Sequence, residues 1–389
     1  MEKYILTING GSSSIKFALF NADGSFAEVM TGRIDRIGLE GSFLAYKKGA
    51  SEEVVQVMPL PDFASAVEAL NSFLGQEVDF NNIAVVGHRV VHGLKHEAHM
   101  VIDNALVAEL KTTIPLDPEH LPLEIAIIET FAERHASLKQ IACFDTVFHH
   151  DMPRVAQVLP LPRRFEEKGV HRYGFHGLSC AYIMGELERV DLMNAGGRVI
   201  IAHLGNGASI TAVKEGKSVD TSMGFTPAGG IPMSTRMGDI DPGMLWYIMK
   251  SGTLNLDELN HLINHESGLL GVSETTSDMH DLLDKAPSDI RANEAVNLFC
   301  YEAKKRIGAY AAALGGIDTL IFTGGMGENA PRIRKRICEG LQFLGITLDD
   351  AANESNSENI SAPSAPVRVR VMHTNEELMI ARIAGELAK

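Results

Sequence analysis

The chain has 389 residues, 45% hydrophobic and 22% charged, and a formal net charge of −15. That length allows two or three domains with a large core, and that charge argues against non-specific binding to nucleic acid or an anionic membrane, though not against a small anion met by local arginines. Four scattered cysteines without a C-x-x-C pair read as reduced thiols of a cytoplasmic protein; no secretion signal or membrane-spanning apolar run is read in the sequence.

The first element is "YILTINGGSSSIKFALF", Tyr4 to Phe20. Ile5, Leu6 and Ile8 precede a Gly-Ser loop, and Ile15, Phe17 and Leu19 then alternate with Ser14, Lys16 and Ala18. Period-2 alternation predicts a hairpin with one buried face. In an extended chain Ser12, Ser14 and Lys16 project to one side, away from Ile15 and Phe17, giving hydroxyls, backbone N–H groups and an ammonium suited to an anion. Helical patterns follow at Ala64–Leu74 and Leu123–His135, and strand patterns at "IAVVGHRVVH" and "QIACFDTVFH". "RVIIAHLGNGASITAV", Arg198 to Val213, repeats the strand–turn–strand form around Gly205-Asn206-Gly207, so the architecture looks duplicated. A long helix is expected over Glu294–Leu314. "TLIFTGGMGENAPRIRKRI" then reads as a buried strand, a turn at Gly324 to Gly327, and a helix starting near Pro331, a form suited to phosphate. Neither the Walker A pattern nor G-x-G-x-x-G occurs. Asp349 to Pro366 reads as a surface loop, "VRVRVM" as a strand, and Thr374 with Glu377 as the capping box of a last helix with Leu378, Ala381 and Ala384 on one face.

Chemistry-bearing residues cluster in short motifs. "GHRVVHG" places Arg89 in a strand with Val91 on the same face. "FDTVFHH" ends a strand in Asp145, and "HRYGFHG" sets Phe175 and His176 between glycines. "DTSMGFTPAGGIPMSTRMGDIDPG" carries Pro227, Arg236, Asp239 and Asp241. The four-residue spacing of His88, His92 and His96 would face one side of a helix, but the alternation there is that of a strand, which disfavours zinc.

Nine motifs, "NGGSSSIK", "GHRVVHG", "FDTVFH", "HRYGFHG", "HLGNGASI", "DTSMGFTP", "TRMGDIDPG", "FTGGMGEN" and "TNEELMIAR", occur in this order from residue 9 to residue 382. In them the chain resembles the acetate kinases, of the superfamily that includes sugar kinases, actin and the heat-shock chaperone ATPases. The resemblance implies an α/β fold of two ribonuclease-H-like domains with an active-site cleft between them: residues 1–148 plus 374–389, closed by the C-terminal helix, and residues 149–373, which bind nucleotide and form the dimer contact of a homodimer. It implies reversible γ-phosphoryl transfer from ATP to acetate, giving acetyl phosphate and ADP, with Mg²⁺ or alternatively Mn²⁺. By the same resemblance Asn9 and Glu376 are metal-associated, and Ser12, Ser14 and Lys16 contact phosphate. Arg89 takes the substrate carboxylate, Asp145 is catalytic, and His176 and Arg236 stabilise the transition state. His203, Leu204, Gly205, Asn206, Gly207, Asp278, Met279, His280, Gly325, Met326, Gly327, Glu328 and Asn329 contact the nucleotide. Val91, Phe175 and Pro227 surround the acetate methyl.

These roles agree with the chemistry. Acetate is ionised at neutral pH and needs no general base, so the work is alignment and charge neutralisation. A sugar hydroxyl does need a base. Asp145 therefore has two readings: a proton shuttle, or a group that holds Arg89 or a metal-bound water, the latter favoured. The chain departs from the family pattern at Pro118 to Pro122, "PEHLP", where Glu119 replaces an aliphatic pocket residue, and at Leu94, Ala228 to Ile231 and His280. The expectation for Glu119 is that it turns from the pocket to pair with a cation, His120 or a pocket arginine. Other short carboxylates such as propionate, a hydroxyl or sugar kinase, and a chaperone-like ATPase are the alternatives.

Overall fold

The structure, a computed structural model, describes residues 2–11 and 13–389. It divides into two compact units: Met1–Val147 with Asn375–Lys389, and Phe148–Thr374.

In the first unit the described residues form strands β1 (Tyr4–Gly10), β2 (Ile15–Asn21), β3 (Glu28–Asp35), β4 (Phe43–Lys48), β5 (Val54–Val57), β6 (Ile83–Val90), β7 (Met100–Val101) and β8 (Gln140–Phe144), in the sheet order β5-β4-β3-β2-β1-β6-β8-β7. The expected hairpin is β1–β2, with Asn9 opposite Lys16, while β1, β6 and β8 run parallel. One sheet face, through Leu6, Ile8, Ile15, Phe17 and Val86, packs on Leu70 and Leu74 of the Phe63–Glu77 helix and Ile127 and Phe131 of the Leu121–Arg134 helix. Contrary to the one-face expectation, Ala18 and Phe20 are buried too. The reason is the Glu376–Leu387 helix, which packs on the other face of β1, β2, β6 and β8. It lies so close that a Cβ on Gly87 would stand 2.5 Å from Ile380 Cγ2.

The second unit has β9 (Arg198–Leu204), β10 (Ala208–Lys214), β11 (Lys217–Thr221), β12 (Thr319–Thr323) and β13 (Arg368–Val371), in the order β11-β10-β9-β12-β13. Here β9–β10 is the hairpin, and β9, β12 and β13 are parallel. The arrangement repeats β3-β2-β1-β6-β8 strand for strand, which is the ribonuclease-H-like pattern. The Gly177–Val190 helix covers Val199, Ile201 and Ile321, and the Ile290–Leu314 helix packs on β9 and β10.

Three local readings are corrected. Gly324 to Gly327 are not a turn but begin a helix, Gly324–Asn329, followed by a second helix, Pro331–Cys338. Gly324 has φ +76°, and a Cβ there would stand 2.9 Å from the Leu204 carbonyl oxygen, so packing against the end of β9 places the glycine. The cap of the last helix is Asn375, whose side chain accepts from Leu378 N–H; Thr374 instead donates its N–H to Glu328 and its hydroxyl to Ser179. Finally, the stretch after Asp349 is no simple surface loop: it holds the short Asp350–Glu354 helix and buries Asn353, Ile360 and Ser361.

Candidate active site

The first unit gathers a buried arginine with its acids. Arg89 lies near the end of β6 and Asp145 just after β8, so parallel neighbouring strands deliver both to one sheet end. Arg89 Nη2 donates to Asp145 Oδ2 at 2.9 Å, and Nη1 donates to the Gly10 carbonyl at 3.2 Å. Asp145 is fully buried and the Arg89 side chain 12% exposed. Burial works against the guanidinium charge, but Asp145, Glu124 and Glu376 more than offset it and raise the Arg89 pKa. Val91 is buried one residue beyond β6, so its placement follows from the chain leaving the strand rather than from strand alternation.

Two groups here were not read from the sequence. Glu124, in the first turn of the Leu121–Arg134 helix, is buried with Oε1 3.5 Å from Arg89 Nη1 and with Oε2 accepting Val91 N–H at 2.9 Å. Its only signal is an acid inside the apolar run "LPLEIAII". Burial pushes its carboxyl up to about 8, against the pull of Arg89 and the Val91 N–H. The second is Glu377. Asn9 Nδ2 donates to Glu376 Oε2 at 2.9 Å and approaches Glu377 Oε1 at 3.4 Å. Burial raises the Glu377 pKa, Lys16 opposes that shift, and Glu376 adds to it. The two carboxylates and the amide side chain, whose Nδ2 faces them here, carry the oxygen-donor types that Mg²⁺ takes with phosphate and water. Lys16 is exposed on β2 and Ser14 is half-buried at its mouth, its carbonyl accepting Gly11 N–H; Ser12 lies outside the described residues. His120, kept in the altered "PEHLP" stretch, sets its Nδ1 2.9 Å from Asp117 Oδ1, and Glu119 is half-buried.

The second unit brings His176 and Arg236 together beside the β9–β10 turn. His176 has a left-handed backbone, φ 60°, at the N-cap of the Gly177–Val190 helix. The preceding turn requires Gly174, φ +78°, where a Cβ would stand 2.4 Å from Thr221 Cγ2. A non-glycine residue in this region is held by its surroundings. Here these are Ser209 Oγ, 3.0 Å from His176 Nδ1, and the His203 ring, with centroids 4.3 Å apart. A Cβ on Gly207 would meet His176 Nε2 at 3.2 Å and Arg236 Nη1 at 3.5 Å, so the β9–β10 turn, the histidine and the arginine converge. Arg236 Nη1 also donates to the Pro227 carbonyl at 3.3 Å, and Asn206 pairs with Ser234. Phe175 is buried, its carbonyl 2.9 Å from His149 Nε2.

The remaining nucleotide candidates differ in what their side chains do. Leu204 is buried at the end of β9, whose turn is Gly205 to Gly207. Asp278 caps the Met279–Lys285 helix by accepting from His280 and Asp281 N–H; Met279 is buried, and His280 is exposed beside Asp284. Glu328 spends its carboxylate on Gly324 N–H, Thr374 N–H and His373. Asn329 closes back on the Gly325 carbonyl, and Met326 lies in the same short helix. That helix is held by Arg334, fully buried, which donates to the Gly327 and Glu328 carbonyls and to Asn353 and Asn356. Nothing in "RIRKRI" marks Arg334 out from its basic neighbours.

The model of the acetokinase family matches residues 4–382. The acetate kinase of Rhodopseudomonas palustris is 42% identical over 100% of this chain and 99% of its own; that of Methylocella silvestris is 40% identical over 98% and 97%. Among solved structures, a Porphyromonas gingivalis acetate kinase is 37% identical with a TM-score of 0.88, covering 100% of both chains. A Francisella tularensis propionate kinase is 35% identical with a TM-score of 0.92, covering 99% of this chain and 100% of its own. With its whole length matched, the chain belongs to the acetokinase family.

Proposed function

We infer that the protein transfers the γ-phosphoryl group of ATP to acetate, reversibly, giving acetyl phosphate and ADP. The observation that carries this reading is Arg89, buried between Asp145 and Glu124 beside apolar Val91: a fixed cation next to an alkyl wall suits a short carboxylate. Arg89 binds the carboxylate, and Val91, Phe175 and Pro227 enclose the methyl group. His176 and Arg236 neutralise charge on the transferring group, Arg236 as a fixed guanidinium and His176 through Nε2. Asp145, engaged by Arg89, acts as a positioning group, since the ionised acceptor surrenders no proton. Ser12, Ser14 and Lys16 contact phosphate, and the β9–β10 turn, Asp278 to His280 and Gly325 to Asn329 carry the nucleotide.

Asn9 and Glu376, with Glu377 beside them, would hold Mg²⁺, or Mn²⁺ in its place; bound there, the metal supplies charge neutralisation to the nucleotide phosphates. We place the protein in the cytoplasm, consistent with four buried free cysteines; none of the described helices is long and apolar enough to cross a membrane. A homodimer is proposed as well. Its support is the Pro242–Lys250 helix, none of whose residues is buried and which exposes Met244, Trp246 and Tyr247.

The test is an acyl-phosphate trap. Protein, ATP, Mg²⁺ and hydroxylamine are incubated with acetate, propionate, butyrate, hydroxy-acids and sugars in turn. Hydroxamate formed fastest with acetate is the expected result; turnover on sugars, or ATP hydrolysis indifferent to any carboxylate, would overturn the reading.

A further inference from the structure

Glu124 makes two contacts that no other side chain in the first unit combines among the described residues. Its Oε1 faces Arg89 Nη1 at 3.5 Å, and its Oε2 accepts the Val91 N–H at 2.9 Å. Its side chain is 1% exposed, so neither contact is shared with bulk water. Val91 follows the last residue of β6, and its N–H has no ladder partner there; Glu124 supplies the acceptor. Arg89 is fixed on its other side by Asp145, while its Nε has no acceptor among the described residues.

One five-atom side chain thus spans the cation that takes a carboxylate and the backbone of the residue that walls the alkyl group. We propose that Glu124 is a specificity-setting positioning residue, a strut whose length fixes the separation of the carboxylate subsite at Arg89 from the alkyl subsite at Val91. The inference rests on the carboxylate-kinase reading above. Short acids differ by one methylene, and a pocket discriminates them only if its wall holds its distance from the anchor. A wall residue at a strand end, with no ladder partner for its N–H, depends on whatever fixes that N–H. Glutamine has the same length and keeps an acceptor for Val91. Aspartate is one methylene short and cannot reach both partners. Alanine reaches neither.

The experiment measures kcat and KM for acetate and propionate in the hydroxamate assay, with KM for ATP alongside, in wild type, Glu124→Gln, Glu124→Asp and Glu124→Ala. Wild-type turnover on carboxylates comes first: its absence defeats the carboxylate-kinase reading and the strut with it. Given that turnover, Glu124→Asp and Glu124→Ala are expected to raise the acetate KM about tenfold and to move the acetate-to-propionate ratio of kcat/KM about fivefold toward propionate. KM for ATP stays within about twofold, and Glu124→Gln keeps the ratio within about twofold of wild type. A role in stability alone would lower the melting temperature and leave the ratio untouched. If Glu124→Ala does not fold, Glu124→Asp decides. A folded Glu124→Asp or Glu124→Ala enzyme with the wild-type ratio and acetate KM overturns the proposal, as does a Glu124→Gln enzyme with a ratio shifted as far as that of alanine.

Discussion

His176 Nδ1 lies 3.0 Å from Ser209 Oγ, and that contact determines which way the ring's other nitrogen points. Ser209 is fully buried on β10, opposite His203 on β9, so the hydroxyl is as fixed as the sheet. Replacing it by alanine removes one neutral hydrogen bond, worth about 0.5–1.5 kcal/mol, and little volume. Ser209→Ala should lower kcat about three- to tenfold with KM for both substrates nearly unchanged, as steady-state kinetics will show. Wild-type kcat would mean that His176 is oriented by other contacts.

The two arginines of the site should fail differently. Arg236 is half-buried and donates to a carbonyl, so Arg236→Ala should cost about 3–4 kcal/mol of transition-state stabilisation while the fold survives. Arg89→Ala strands Asp145 as a buried acid without its cation, a loss of about 3–5 kcal/mol of stability on top of the lost turnover. Thermal melts of both variants beside single-turnover rates check this. Equal melting temperatures would contradict the buried pairing.

Stability should depend on pH through Glu124. Its folded carboxyl titrates at about 8 and its ordinary value is 4.5, so between these values the folded state holds the proton that the unfolded chain has lost. Stability therefore falls as pH rises through that window, by up to about 1.4 kcal/mol per pH unit from this group, and levels off above it. Glu124→Gln removes the dependence. Urea midpoints from pH 5 to pH 9 should converge for the two proteins at the acid end and diverge toward pH 8; parallel curves would show that Glu124 is ionised throughout.

Arg334 should matter more than any other residue of its helix. Its five donor contacts are with neutral acceptors, and burial lowers its pKa to about 10. Arg334→Ala leaves several buried carbonyls unpaired at about 1–3 kcal/mol each. A large drop in melting temperature is expected, with KM for ATP rising wherever the protein still folds. Lys335→Ala, one residue on and exposed, is the control that should do neither.

The hairpins were legible because alternation and a glycine turn are local: β1–β2 and β9–β10 needed only their own residues. Long helices were legible for the same reason, the Ala64–Leu74 pattern marking a helix that runs Phe63–Glu77. What escaped depended on distant partners. Gly324 to Gly327 look like a turn until Leu204 packs against them. Glu124 looks like the solvent-facing acid of an amphipathic helix until Arg89 and Val91 claim it. Ser209 looks like any strand serine until His176 turns toward it. The motifs named residues that contact ligand by resemblance; the residues that hold those in place follow from side-chain geometry, which a pattern of letters does not carry.

Asn9 and Glu376 are 367 positions apart, and the helix that begins at Glu376 completes the sheet that begins at Tyr4. During synthesis the first strands therefore leave the ribosome long before their closing helix exists. Until that helix is made, Ile5, Phe20 and Gly87 stay uncovered on one face. A nascent chain in this state exposes an apolar sheet to chaperones and to other nascent chains. Loss of the residues from Glu376 onward would leave the second unit encoded in full, yet deprive the first of its cover and of the glutamate that faces Asn9.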